Sequence, residues 1–237
     1  IGPCGRAPPR PRRYRGPMRA IALLLSSTLW LATPAPAAPP LAPATQAQLD
    51  RAVIDYESGR IDEARKAFES LSRRGVPAAD FNLAVMHVKG QLPDASPARA
   101  DELLRRAARG GFVRAQVMLG KSLEDGLLGR RDLREAHDWY ELAAEAGSAE
   151  AQLAMGTAHY LGRGRPKDAL RAAHWYREAA KAGDVGAAYI LASMYEQGDG
   201  VDRDLRLARY WYERAAAGGD EAAPYKVKEL ELRESAS

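Results

Sequence analysis

Downstream of residue 76 the apolar positions of this chain fall three or four apart in short stretches divided by glycine-rich turns, which is the spacing of helices packed on one side rather than of strands. The stretches repeat. Ala-Ala pairs stand at 107–108, 143–144, 179–180 and 215–216, and each pair is followed by Gly111, Gly147, Gly183 or Gly219, always at a step of 36 residues. Trp139-Tyr140, Trp175-Tyr176 and Trp211-Tyr212 keep that step, as do Ala100, Ala136, Ala172 and Ala208. Gly90, Gly126, Gly162 and Gly198 keep it too. A fixed period of this length is the mark of a solenoid, in which each unit buries its apolar face only against its neighbours.

Each unit reads as two helices. In the third, Ala149–Leu161 places Ala151, Met155, Gly156 and His159 at helical spacing, and Gly162-Arg163-Gly164 ends that first helix, called A. Asp168 opens helix B, whose Ala172, Trp175, Tyr176 and Ala179 again fall three or four apart before Gly183 caps it. Ser96, Asp132 and Asp204 are the equivalents of Asp168, with Pro97 at the first helical position and Glu135 completing a capping box with Asp132. The recurring polar residue is a cap and not a catalytic acid. Ser148, Asp184 and Asp220 cap the A helices in the same way, and Phe112 is the one position where that signal fails.

The best-kept unit carries Ala187, Leu191, Ala192, Tyr195, Gly198, Gly200, Val201, Asp204, Ala208, Trp211, Tyr212, Ala215, Ala216 and Gly219. This pattern resembles the Sel-one-like repeat (SLR), a relative of the tetratricopeptide repeat. The resemblance implies an all-α, right-handed α-α superhelix and an adaptor or scaffold for protein complexes, of a kind often exported in bacteria. Four such repeats are expected over residues 77–220, a tetratricopeptide-like first helix pair over 46–76, and a capping helix and tail over 221–237. In the unit that begins near Ala78, Leu103-Leu104 replace Trp-Tyr and Pro93-Asp94 enter the loop.

Charge separates the repeat region from what precedes it. The whole chain has a formal charge of +4, but residues 1–37 hold six arginines and no acid, which leaves 29 basic against 31 acidic residues beyond them. The leading segment reads as targeting: Met18-Arg19 is a short basic start, Ile21–Leu31 is a mainly apolar run of 11, and Ala35-Pro36-Ala37 supplies small residues for cleavage after Ala37. Ile1–Pro17 shows no periodicity, so translation is expected from Met18 and 1–17 is an upstream extension. A run of 11 residues falls short of a membrane-spanning helix. Residues 38–45 form a Pro/Ala-rich linker. The sequence thus predicts a periplasmic or secreted protein, with a cytoplasmic adaptor as the alternative should that segment not be a cleaved signal.

Composition then narrows the chemistry. The single cysteine, Cys4, excludes a disulfide framework and a multi-cysteine zinc site. His87 and His159 share a phase with Leu123 and Tyr195, so the position packs; His137 and His174 lack a partner at i+4, and no HExxH or G-x-S-x-G is present. Some exported Sel-one-like proteins with disulfide-linked repeats are β-lactamase-like, so a cell-wall-related or β-lactamase-like hydrolase is the rival reading. This chain lacks those cysteines, and lysine follows at the third place after none of Ser58, Ser70, Ser72, Ser96, Ser122, Ser148 or Ser193. No catalytic, cofactor-binding or metal-binding residue is assigned.

Binding is the better reading, and it should lie where the units differ. The resemblance implies that A helices line the concave face, which places Phe81, Val85, Val88, Arg114, Val117, Lys121 and Glu124 on it, followed by Leu153, Thr157, Tyr160, Tyr189, Ser193 and Glu196. Aromatic anchors with charged edges suit a partner protein or peptide. Nucleic acid is disfavoured, because Arg105, Arg106, Arg130, Arg131, Arg203 and Arg206 are interleaved with acids as a solvated face. No basic amphipathic helix rich in Trp or Phe supports stable membrane insertion after signal cleavage.

Overall fold

The computed structural model describes residues 40–235, and the expected start at Met18 and the cleavage after Ala37 lie outside them. Among the described residues there are eleven α-helices and no strand. The first pair is α1 (Pro43–Glu57) and α2 (Ile61–Arg73). Then A and B helices alternate: α3 (Pro77–Val88) and α4 (Pro97–Arg109), α5 (Val113–Asp125) and α6 (Leu133–Glu145), α7 (Ala149–Leu161) and α8 (Ala169–Lys181), α9 (Val185–Gln197) and α10 (Leu205–Ala217). A last helix, α11 (Ala223–Ser235), takes the place of a fifth A helix. Each helix packs most closely on its partner in the pair and next on the helix that follows, as a solenoid requires.

The caps explain the boundaries. Ser96, Asp132, Asp168 and Asp204 accept hydrogen bonds from backbone N–H groups in the first turn of the following B helix, and Ser148 and Asp184 do so for α7 and α9. Phe112, ahead of α5, offers no side-chain cap, and it is not the one exception, because Val76 at the same phase ahead of α3 offers none either. At the end of α8 the Gly183 N–H bonds the Ala180 carbonyl and the Asp184 N–H bonds that of Ala179, a paired closure that needs the left-handed backbone of Gly183, φ +96°. Only half of the expected capping box is formed: Asp132 accepts from the Glu135 N–H at 3.0 Å, but the Glu135 side chain does not return to the Asp132 N–H. The Glu135 carboxylate instead takes Arg105, Arg130 and the Trp139 indole, while the Asp132 N–H turns back to the Leu123 carbonyl. A carboxylate within reach of two guanidiniums gains more from them than from one amide.

The core combines small residues on both helices with larger side chains, among which Leu104, Tyr140, Tyr176 and Tyr212, at a step of 36, are all buried. The tyrosine of each Trp-Tyr pair is buried, while Trp139 and Trp175 are only half-buried and Trp211 is buried as well. Units are also tied by polar groups. The buried Gln116 and Gln152 side chains donate to the carbonyls of Ala108 and Ala144 at the end of the preceding B helix. At the same phase in the first unit stands Asp80, 2% exposed, which accepts from Arg106 Nε at 2.6 Å, while Arg106 also reaches Ser72. Arg105 and Arg106 therefore differ from the solvated face expected of them: both bridge helices, and the bond to Asp80 raises the Arg106 guanidinium above its ordinary range.

Candidate functional site

The A helices α3, α5, α7 and α9 present the positions that vary between units, and two cavities open among them. The first, of about 440 Å³, is lined by Phe81, Val113, Arg114, Met118, Lys121 and Glu150. The second, of about 450 Å³, lies between α5 and α7 and is lined by Lys121, Glu124, Tyr140, Ala154, Thr157 and Arg163, among others. Lys121 and Glu150 belong to both, so the two are neighbours. Of the residues expected on this face, Phe81, Arg114, Val117 and Lys121 meet at the first cavity. Lys121, Glu124, Leu153 and Thr157 meet at the second. Val85, Tyr160, Tyr189, Ser193 and Glu196 line neither.

Two of the expected positions are less open than the sequence suggests. Val117 is only 9% exposed, because it packs with Tyr140, Ala143 and Met155. Glu196 keeps a side chain 11% exposed, because α11 covers it with Lys226 and Arg233. Tyr160 and Tyr189 are half-buried with their edges on Tyr176 and Tyr212, so their hydroxyl ends carry most of what they can offer a partner. Tyr140, Glu150, Ala154 and Arg163 were not foreseen. Tyr140 stood among the fixed core positions, and the others enter only through the neighbouring unit.

The floor of the face is made by tyrosines from the B helices. The Tyr140 and Tyr176 rings pass under Gly120 and Gly156, where a Cβ would come within 2.9 and 2.7 Å of ring carbons. That close approach delivers their hydroxyls to the A side. Tyr140 donates to Glu124 at 3.2 Å, Tyr176 to the Thr157 hydroxyl at 3.2 Å, and Tyr212 to Glu196 at 3.0 Å. Burial first, and the adjoining carboxylate second, push the Tyr140 and Tyr212 phenols well above their ordinary range, so both stay protonated donors. Glu196 also receives Lys226 Nζ and Arg233 Nη1, each at 3.2 Å. Glu124 has Arg163 at 4.0 Å.

Three of the four histidines pack inside the solenoid. His87, His137 and His159 are buried and, chiefly by burial, held below the ordinary imidazole range; His174 lies exposed against Trp175. Among the described residues no group of three or more His, Cys, Asp or Glu could hold a metal ion, and no helix is long and apolar enough to cross a membrane.

Two solved structures share this architecture. One is c5321, a protective antigen present in uropathogenic Escherichia coli strains and displaying an SLR fold, with a TM-score of 0.72 at 27% identity over 78% of this chain. The present chain spans only 41% of that protein's length. The other is a Sel1 repeat protein from Oxalobacter formigenes, with a TM-score of 0.66 at 28% identity over 76% of this chain and 74% of its own. Comparison with curated proteins gives no match. The Sel1 repeat model matches residues 77–112, 113–148, 149–184 and 185–220, the helix pairs α3–α4, α5–α6, α7–α8 and α9–α10, so the chain belongs to the Sel1 repeat family.

Proposed function

We propose that this protein is an exported, non-enzymatic scaffold that binds a partner protein or peptide along the A-helix face of its solenoid. The observation that carries the reading is the division of labour within the repeat. Ala and Tyr positions that recur every 36 residues are buried, while of the positions that change, Phe81, Arg114, Lys121, Glu124, Leu153 and Thr157, all in the first three repeats, line two adjoining cavities. Membership of a family of repeat scaffolds supports the same reading. Half-buried aromatics beside exposed Arg114 and Lys121 offer anchors and orienting charge of the sort that protein interfaces use.

Photo-crosslinking tests it. A crosslinking residue in place of Lys121 or Leu153 should capture a discrete partner in cells, and one in place of Arg134, exposed on α6, should not. Capture from Arg134 alone would move the interface to the B helices and overturn the reading. Export has its own test, N-terminal sequencing of the protein recovered from the periplasm or medium, where a mature start at residue 38 is expected. Turnover of a β-lactam or a cell-wall glycan by the purified chain, lost on changing one serine or acid, would refute the non-enzymatic assignment.

A further inference from the structure

The second and fourth repeats carry the same Tyr-Glu pair at the same phase, Tyr140 with Glu124 and Tyr212 with Glu196, 72 residues apart. What the following helix places opposite that pair is different. Beyond Glu196, α11 supplies Lys226, whose Nζ lies 3.2 Å from the carboxylate and 6.0 Å from the centre of the Tyr212 ring. The residue 72 places before Lys226 is Ala154, and that before Arg233 is Leu161. So where the fourth repeat holds an ammonium group, the second holds a methyl group and the cavity of about 450 Å³ beside it.

The other two repeats are matched in a different way. Their triplets at these phases are Val88, Leu104 and Met118 in the first and Tyr160, Tyr176 and Ile190 in the third, apolar or aromatic throughout. Only in the second repeat does a carboxylate face a side chain that cannot answer it. Glu124, Asp125 and Glu150 line the cavity against Lys121 and Arg163, one negative charge in excess. Arg163, the nearest cation at 4.0 Å, has a side chain 50% exposed, and the Glu124 side chain is still 29% exposed. His137, 2% exposed, lines the same cavity with its Nδ1 edge packed against Gly164.

We propose that this cavity receives a lysine side chain of the partner, with the Glu124 carboxylate, oriented by the Tyr140 hydroxyl, as its counter-ion. The inference rests on the A-helix face being the interaction surface and names one chemical requirement of the partner. Lys226 is the internal template: its ammonium lies over the tyrosine ring and reaches the carboxylate, an arrangement that combines cation–π attraction with a charge-assisted hydrogen bond.

The test is a titration of the full ¹⁵N-labelled chain with n-butylammonium chloride, with 1-butanol and sodium chloride as controls, followed by amide shifts. Saturable shifts are expected in α5 around Glu124 and in α7 around Ala154, and none there with butanol or salt. Glu124→Gln, which keeps the shape and an acceptor for Tyr140, should weaken the apparent affinity by about tenfold. Ala154→Lys, which installs the cation of the fourth repeat, should abolish the shifts; if it does not fold, Glu124→Gln decides. Equal shifts with butanol, no saturable shifts, or shifts unchanged in Glu124→Gln would each overturn the proposal. A partner crosslinked from Lys121 together with a butylammonium-silent cavity would leave the scaffold reading standing and remove this inference alone.

Discussion

The second and fourth repeats show how one pair of residues takes on two roles. Glu196 is a structural residue, enclosed by the phenol of α10 and by two cations of α11, whereas Glu124 keeps the phenol and opens onto a cavity. The pair itself is the same in both repeats, although its neighbours Val117 and Lys121 become Tyr189 and Ser193 in the fourth. The difference is written 30 residues further on, in Ala154 against Lys226. A residue's task in a solenoid is therefore set by the unit stacked beside it, and the repeat consensus describes position without describing environment.

The turns of the two repeats should differ most under substitution. Gly200 has φ +70°, and a Cβ there would stand 2.3 Å from the Ala169 carbonyl oxygen, so the backbone of α8 would have to yield. Gly129 has φ +87° but open space around it. Gly200→Ala should cost about 3 kcal/mol or more in urea unfolding and Gly129→Ala about 1 kcal/mol. Equal losses would show that backbone conformation, and not contact with the preceding unit, governs both turns.

Removing the cations comes next. Lys226→Ala should lower stability by about 1.5 kcal/mol and speed amide exchange in α9 and α11, since it exposes an enclosed carboxylate. Glu124→Gln should change stability by less than about 0.5 kcal/mol, because the carboxylate it removes is already partly hydrated. Should the two variants cost the same, the contrast between an enclosed and an open glutamate fails. Tyr212→Phe against Tyr140→Phe is a finer version, with expected losses of about 1 and about 0.5 kcal/mol in the same unfolding assay.

Acid provides a further contrast. His87, His137 and His159 lie in the first three repeats, and the fourth has Tyr195 and Arg209 at the corresponding phases. Burial holds the three imidazoles below their unfolded value of about 6.5, so as pH falls the unfolded chain takes up protons first. Stability should be level above that pH and decline below it. Amide exchange should accelerate in α3–α7 before α9–α10, and His87→Leu with His159→Leu should flatten the decline. Loosening that begins in α9–α10 would contradict this account.

Much of the fold was legible because packing repeats with the chain. Ala100, Ala136, Ala172 and Ala208 must all be small for the same reason, and Asp132, Asp168 and Asp204 must all cap, so four occurrences stand in for an alignment. The binding face was legible only by position. Helical phase puts Lys121 and Leu153 on the A side, but it does not show that Glu196 is covered, that Val117 is buried against Tyr140, or that Arg106 reaches Asp80. Those outcomes depend on long side chains choosing partners in other helices. Glu135 makes the point: its sequence context suggests a cap, and two arginines claim it instead.

The buried glutamines have a mechanical meaning. Gln116 and Gln152 each span one junction, from an A helix back to the last turn of the B helix before it, and the turns close on themselves through Asp132 to Leu123 and Asp168 to His159. Every polar tie of this kind is short-ranged along the chain, so no single bond carries load from one end of the array to the other. Under tension applied across residues 43–235, the array should therefore lengthen by shedding one hairpin after another.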